Sequence, residues 1–136
     1  MVCVNRNASS GVVDEVVCDG EKIAFMAVEH LIELGHTNIG YIGECHNEAR
    51  YRGFVEVLYD HHLELDPDFV IETNQTEAKG YEAMEKLLAM PDYPTGIYCA
   101  NDITAVGVLK LLSRRKIWVN LPCGCCWTGS ITDIKL

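Results

Sequence analysis

The chain has 136 residues, of which 49% are hydrophobic and 23% are charged, and its formal net charge is −9. These proportions are typical of an ordinary globular domain, and no apolar run approaches the ~20 residues of a membrane span. The excess of acid disfavours nucleic-acid binding by this chain, because such binding depends largely on Lys and Arg. The first residues do not resemble a signal peptide, and seven cysteines without framework spacing favour a reducing cytosol.

The first twenty residues predict two short strands. Val2–Val4 is an apolar, largely β-branched run that ends at the polar segment Asn5-Arg6-Asn7. A second β-branched stretch, from Val12 to Cys18, follows a turn rich in small residues. Asp19 is placed to cap the helix that follows, because its carboxylate can accept a backbone N–H of the first turn.

An amphipathic helix is predicted from Glu21 to Leu34, since apolar residues recur there at helical spacing. Gly35 follows the last periodic residue, as a helix C-cap with positive φ does. The short apolar run Ile39–Gly43 then predicts a strand that is covered on both faces.

The alternation of strand and helix repeats twice more. The sequence predicts helices at Glu48–Tyr59, Ala78–Ala89 and Ile103–Ser113, and strands at Phe69–Ile71 and Thr95–Ala100. Such alternation is typical of an α/β domain in which helices cover both faces of a parallel sheet, in three layers, αβα.

The helix Glu48–Tyr59 is expected to bury one apolar side. The residues predicted on that side are Phe54, Val55, Leu58 and Tyr59.

Four polar residues at the carboxyl ends of predicted strands are candidate ligand-binding residues: Asn5, Arg6, Arg50 and Asn101. Ligand clefts of open α/β sheets form at these strand ends. Arginine donates a planar fork of hydrogen bonds, and asparagine offers both a donor and an acceptor, which suits the hydroxyls of a sugar. Simpler roles remain open: Asn5 as a turn former, Arg50 as a surface residue of a helix, and Asn101 as a helix cap.

Three spaced segments together resemble the effector-binding domain of the lactose/galactose repressor (LacI/GalR) family of bacterial transcription regulators. They are Glu29–Gly43, in which Leu-Gly-His precedes the strand, Arg50–Phe54, and Ile97–Gly107. The resemblance implies one lobe of a periplasmic-binding-protein-like (type I) fold, with the second lobe at residues 18–122. Residues 1–17 would be a remnant of the first lobe with the crossover, and residues 123–136 an atypical tail in which the resemblance is lost.

The resemblance also assigns ligand contacts. Asn5-Arg6 match an acid or amide followed by Arg, Arg50 matches the arginine of an Arg-x-x-Gly-aromatic helix start, and Asn101 matches the amide of an Asn-Asp pair. Purine-binding members usually lack that amide, so Asn101 favours a sugar over a purine. The family's further ligand acid is missing here, because Ile131 stands in its place.

The expected function is therefore effector binding and dimerisation in a cytoplasmic transcriptional repressor whose DNA-binding head and most of whose first lobe lie outside this chain. The expected partners are a small-molecule effector and a second copy of the chain, with no direct contact to nucleic acid or membrane. The edge of a strand such as Val2–Val4 favours a homodimer, with exchange of segments as one route to it.

Two other classes remain as alternatives. A solute-binding protein of a sugar transporter shares the fold. An enzyme is the weakest class, because no nucleophile elbow, phosphate loop or HExxH pattern occurs. We expect no cofactor and no metal site, because adjacent His61 and His62 make a poor chelate and the cysteines of the tail lack a second pair.

Overall fold

The computed structural model describes two stretches with their side chains and four further strands by their main chain. The stretches are residues 19–74 and 76–117, and the strands are Val2–Val4, Asp14–Val16, Trp118–Asn120 and Ser130–Lys135. Within this part of the chain no helix has the length and apolar character required to cross a membrane.

Strands and helices alternate along the described residues. In chain order they are β1 (Val2–Val4), β2 (Asp14–Val16), α1 (Gly20–Glu33), β3 (Ile39–Gly43), α2 (Ala49–Asp60), a 3₁₀ turn (Pro67–Phe69), β4 (Val70–Glu72), α3 (Glu77–Leu88), β5 (Gly96–Cys99), α4 (Asp102–Arg114), β6 (Trp118–Asn120) and β7 (Ser130–Lys135).

The strands form two sheets. Strands β1 and β2 pair in parallel as a two-stranded sheet, with Val2 opposite Asp14. The larger sheet has the order β4-β3-β5-β7-β6, and β3 pairs in parallel with both β4 and β5. The predicted parallel sheet is thus confirmed for β3, β4 and β5.

Helices cover both faces of the larger sheet. All five residues of β3 are buried, and their side chains alternate between two apolar clusters. Tyr41 of β3 and Tyr98 of β5 pack with α1 and α2, whereas Ile42 and Ile97 pack with α3 and α4. The predicted α/β class and its three layers, αβα, are therefore confirmed, and the core lies on both sides of β3 and β5.

The helix boundaries follow from local side-chain chemistry. The Asp19 carboxylate accepts the backbone N–H of Lys22 at 3.2 Å and caps α1, as predicted. Gly35 has φ +98° at the end of that helix, which also agrees with the prediction. His36 follows, and its buried Nδ1 lies 2.8 Å from the Thr95 hydroxyl, which ties this turn to the start of β5.

Glycines lie where the helices of each layer touch. A Cβ on Gly53 of α2 would lie 2.2 Å from the carbonyl oxygen of Glu21 in α1. A Cβ on Gly107 of α4 would lie 2.0 Å from the carbonyl oxygen of Glu77 in α3. Since neither backbone can yield easily, both helix pairs need a residue without a side chain at the contact.

The face of α2 that is buried differs from the prediction. Tyr59, predicted as buried, is 80% exposed, and Val55 is half-buried. The buried residues are Gly53, Phe54, Val57 and Leu58. The close contact of Gly53 with α1 fixes the rotation of the helix, and this rotation carries Tyr59 outward.

Two further differences concern the strands. Phe69 was predicted to start a strand, but it ends the 3₁₀ turn that Pro67 and the capping carboxylate of Asp66 form. In the tail, where no element was predicted, β7 runs antiparallel to both β5 and β6. Antiparallel neighbours need no helical crossover, and no described helix separates β6 from β7.

We predict that Gly107→Ala lowers the free energy of unfolding by about 2–3 kcal/mol, because the added methyl would overlap a backbone oxygen. This loss exceeds the gain of about 1 kcal/mol in helix propensity from Gly to Ala. Urea unfolding measures it. The control is Gly96→Ala, where an added Cβ would meet its nearest neighbour at an ordinary 3.4 Å. Equal stability of the two variants would contradict the close helix contact.

Candidate ligand-binding site

The strand order places a crevice between the carboxyl ends of β3 and β5. From β3 the chain moves outward to β4 and then returns to the other side of β3 to form β5. Such a reversal is the point at which open α/β sheets bind ligands. The two strand ends lie very close together, since a Cβ on Gly43 would be 2.4 Å from the Ala100 Cβ.

Arg50 lies in the first turn of α2, directly after the loop that leaves β3. Its side chain packs against the start of α1, where a Cβ on Gly20 would lie 3.2 Å from the Arg50 Cγ. The guanidinium Nη1 is buried and has no hydrogen-bond partner, and Arg50 forms no ion pair within the described residues. A buried charged N–H without an acceptor is unfavourable. A ligand that supplies an acceptor for this atom would remove that cost.

Asn101 follows β5 directly and caps α4. Its Oδ1 accepts the backbone N–H of Thr104 at 2.9 Å. The simpler role that the sequence left open, a helix cap, is therefore present. The cap engages the amide oxygen as an acceptor, and Nδ2 is the atom through which Asn101 can donate a hydrogen bond to a ligand.

Aromatic rings lie beneath this crevice. The centroid of Tyr41 lies 5.2 Å from those of Tyr51 and Phe54, and 6.0 Å from that of Tyr98. The Tyr41 hydroxyl donates a hydrogen bond of 2.7 Å to the backbone oxygen of Glu44, which holds the loop after β3. These rings form a buried aromatic cluster on the face of the sheet that α1 and α2 cover.

Arg50 and the Glu48 carboxylate both affect the pKa values of the two buried tyrosines, Tyr41 and Tyr98. Burial raises the pKa of Tyr98 to about 12, and the Glu48 carboxylate adds to this rise while the Arg50 guanidinium opposes it. Burial also raises the pKa of Tyr41, with the same two opposing charges nearby. Both hydroxyls are therefore neutral at physiological pH.

Two thiols near the strand ends are unreactive. Burial, together with a smaller contribution from the nearby Glu72 carboxylate, raises the pKa of Cys45 to about 11. Burial likewise raises the pKa of Cys99 to about 12. Both are therefore thiols at neutral pH and poor nucleophiles. Within residues 19–74 and 76–117, no three His, Cys, Asp or Glu side chains are grouped so that they could hold a metal ion.

A depression of about 650 Å³ opens beside the crevice, between the ends of β3 and β4 and helix α3. Its lining includes Glu44, His46, Glu72, Lys79 and Lys86. Neither Arg50 nor Asn101 lines it, because β4 lies on the opposite side of β3 from β5. The depression is thus separate from the predicted cleft.

The structure brings Arg50 and Asn101 to one edge of the sheet, as the sequence predicted. Asn5 and Arg6 lie outside the described residues, so their placement stays a prediction. Sequence reasoning overlooked Glu48, which caps α2 through a 3.3 Å hydrogen bond from the Arg50 backbone N–H to its carboxylate. The sequence signal that could have identified Glu48 was an acidic residue two positions before the candidate Arg50, where it can cap the helix.

Comparison with known families agrees with this geometry. The model of the periplasmic-binding-protein-like domain matches residues 28–119, which include β3, β4, β5 and the whole of α2, α3 and α4. The chain belongs to this family. The matched residues of this periplasmic-binding-protein-like domain contain both Arg50 and Asn101.

The most similar curated proteins include transcriptional repressors. The chain is 35% identical over 117 residues to the HTH-type transcriptional repressor PurR of Haemophilus influenzae, which covers 83% of this chain and 34% of the relative. It is 28% identical over 123 residues to the probable HTH-type transcriptional repressor ExuR of Bacillus subtilis, covering 88% and 37%. The chain thus spans about a third of the length of these relatives.

Solved structures of the LacI family share the fold. A sugar-binding transcriptional regulator of this family from Escherichia coli, in complex with phosphate, has a TM-score of 0.73 and 28% identity, covering 85% of this chain and 43% of that one. A LacI-family regulator from Mycobacterium smegmatis has a TM-score of 0.72 and 28% identity, covering 84% and 44%. The resemblance to the effector-binding domain of the lactose/galactose repressor family is confirmed.

We predict that Asn101→Ala lowers the stability of the domain by about 1 kcal/mol, because the first turn of α4 loses its cap. Asn101→Asp keeps an oxygen at the same place, so its stability should stay close to that of the wild type. Urea unfolding of both variants measures the difference. Equal losses in the two variants would contradict the capping role of the amide oxygen.

Proposed function

We propose that this chain is an effector-binding part of a cytoplasmic transcriptional repressor and that its effector is a sugar. Arg50 and the Nδ2 of Asn101 hold the sugar at the carboxyl ends of β3 and β5. Asn5 and Arg6 complete the site from the N-terminal segment. In this proposal residues 18–122 form the second lobe of the binding domain, residues 1–17 belong to the first lobe with the crossover, and residues 123–136 are an atypical tail whose strand β7 joins the larger sheet.

One observation carries the proposal: the buried Nη1 of Arg50 has no acceptor within the described residues, although it lies at the strand reversal where ligands bind. A sugar hydroxyl supplies that acceptor. Because the start of α1 already packs against the Arg50 side chain, a ligand has less of it to order, which lowers the entropic cost of binding.

The relatives support a regulator over a solute-binding protein of a transporter. The curated relatives named above are transcriptional repressors and not enzymes. One solved relative is described as sugar-binding. In our proposal the chain binds its effector without turning it over. It also leaves DNA contact to other parts of the repressor, because its net charge of −9 opposes binding to phosphates.

Arg50→Gln tests the proposal directly. We expect it to weaken sugar binding by about tenfold or more, because a charged hydrogen-bond donor is lost. Isothermal titration calorimetry against common mono- and disaccharides, with purines in parallel, measures the change. The matched control is Arg52→Gln, because the side chain of this exposed arginine of the same helix forms a long ion pair with Glu21, at 3.9 Å.

The outcomes separate clearly. Binding of a sugar that Arg50→Gln weakens and Arg52→Gln leaves unchanged would support the site. Binding of a purine alone would contradict the sugar assignment. If neither a sugar nor a purine binds the wild-type chain at millimolar concentration, effector binding by this chain is wrong.

We further propose that the chain forms a homodimer through α4. Ile103 is 58% exposed and Val106 is 39% exposed, and they lie three residues apart on one side of the helix. Exposed apolar side chains in adjacent turns favour burial against a second copy, and two-fold dimers bring one patch against itself. Exchange of the N-terminal segment between copies, which the sequence suggested, is a second way to form the dimer.

Val106→Lys should shift the chain towards the monomer, because the dimer would bury the added charge without a partner. Multi-angle light scattering over a range of concentrations measures the mass. The control is Leu34→Lys, since Leu34 is also exposed, at 52%, but lies at the end of α1. A dimer that withstands both substitutions would contradict the α4 interface and favour segment exchange. A monomer at all concentrations in the wild type would contradict dimerisation.

A further inference from the structure

We infer that Glu48 sets the charge specificity of the Arg50 site and selects neutral sugars over sugar acids and sugar phosphates. The inference rests on the proposed function, because it concerns the effector of that same site. It follows from the way in which the carboxylate and the guanidinium are arranged at the start of α2.

Glu48 is held beside Arg50 by the backbone. Its Oε1 accepts the Arg50 backbone N–H at 3.3 Å, and both residues are half-buried. The two side chains nevertheless form no ion pair with each other or with any other described residue. The Glu48 carboxylate therefore lies beside the Arg50 backbone without an ion pair to the guanidinium.

The two charges act on the same small volume. The carboxylate and the guanidinium shift the pKa values of Tyr41 and Tyr98 in opposite directions, so each lies near both phenols.

A neutral hydroxyl fits such a pair of groups. Its oxygen can accept an N–H of Arg50 while its hydrogen is donated to the Glu48 carboxylate, because a hydroxyl is both donor and acceptor. A carboxylate or phosphate of a ligand can accept from Arg50 but has no proton for Glu48. Placing it there would bring two negative charges together in a partly buried site, which costs binding free energy.

Matched pairs of sugars test the inference. The dissociation constants of D-glucose, D-glucuronate and glucose 6-phosphate, and of the corresponding galactose compounds, are measured by calorimetry on the wild-type chain and on Glu48→Gln. Glutamine keeps an oxygen that can cap α2 but removes the charge. Glu33→Gln is the control, because this exposed acid lies at the opposite end of α1 from Gly20.

We expect the wild type to bind the neutral member of a pair at least about tenfold more tightly than its charged counterparts. Glu48→Gln should reduce that ratio by about tenfold, chiefly by strengthening binding of the anion. Glu33→Gln should leave the ratio unchanged. Urea unfolding of Glu48→Gln confirms that α2 stays intact.

The failures of the two proposals are distinguishable. If no member of any pair binds the wild type, or if Arg50→Gln does not weaken binding, the proposed sugar site is wrong and this inference falls with it. If a neutral sugar binds through Arg50 but the anions bind as tightly, or the ratio survives Glu48→Gln, only the inference is overturned. Tighter binding of an anion would also overturn it and would point to a second cation, such as Arg6.

Discussion

The close contact between α1 and α2 fixes both the scaffold and the candidate site. Gly53 brings the backbone of α2 so near to α1 that a methyl group would lie 2.2 Å from the Glu21 carbonyl oxygen. One turn earlier on α2, the same approach presses the Arg50 side chain against Gly20. The Arg-x-x-Gly-aromatic motif therefore combines three tasks: Arg50 faces the ligand edge, Gly53 sets the helix contact, and Phe54 fills the core.

The arrangement leaves Arg50 with a buried N–H group that a ligand could satisfy. Its guanidinium is held near buried aromatic rings, yet Nη1 has no acceptor within the described residues. A fold optimised for stability alone would pair this group or replace it. Unsatisfied polar groups at an otherwise well-packed place are expected where function competes with stability. In our inference the Glu48 carboxylate, which caps α2 beside Arg50, limits which ligands can bind there.

Much of this fold could be predicted from local patterns. The Asp19 cap, the positive φ of Gly35 and the buried strand β3 follow from residue chemistry and apolar spacing, and all three are present. The positions of Arg50 and Asn101 after two predicted parallel strands also led to the prediction that they share one edge of the sheet. These features depend on short-range rules that the sequence displays directly.

Other features depend on contacts that are distant in sequence. In α2 the run from Phe54 to Tyr59 is apolar on two sides, so spacing alone could not decide which side is buried. The glycine contact with α1 decides it, and Tyr59 is exposed as a result. The antiparallel direction of β7 likewise depends on its pairing with β5 and β6, because no local pattern encodes strand direction. The sequence analysis did not single out Glu48, because the contact of its carboxylate with the Arg50 backbone N–H depends on the side-chain conformation.

The central claim is that the orphaned Nη1 of Arg50 binds the effector. A crystal structure of the chain with a sugar that binds in solution tests this claim most directly. The account predicts a sugar oxygen about 3 Å from Nη1, within hydrogen-bond range, at the carboxyl ends of β3 and β5. A sugar bound in the depression between β4 and α3, with no contact to Arg50, would contradict it.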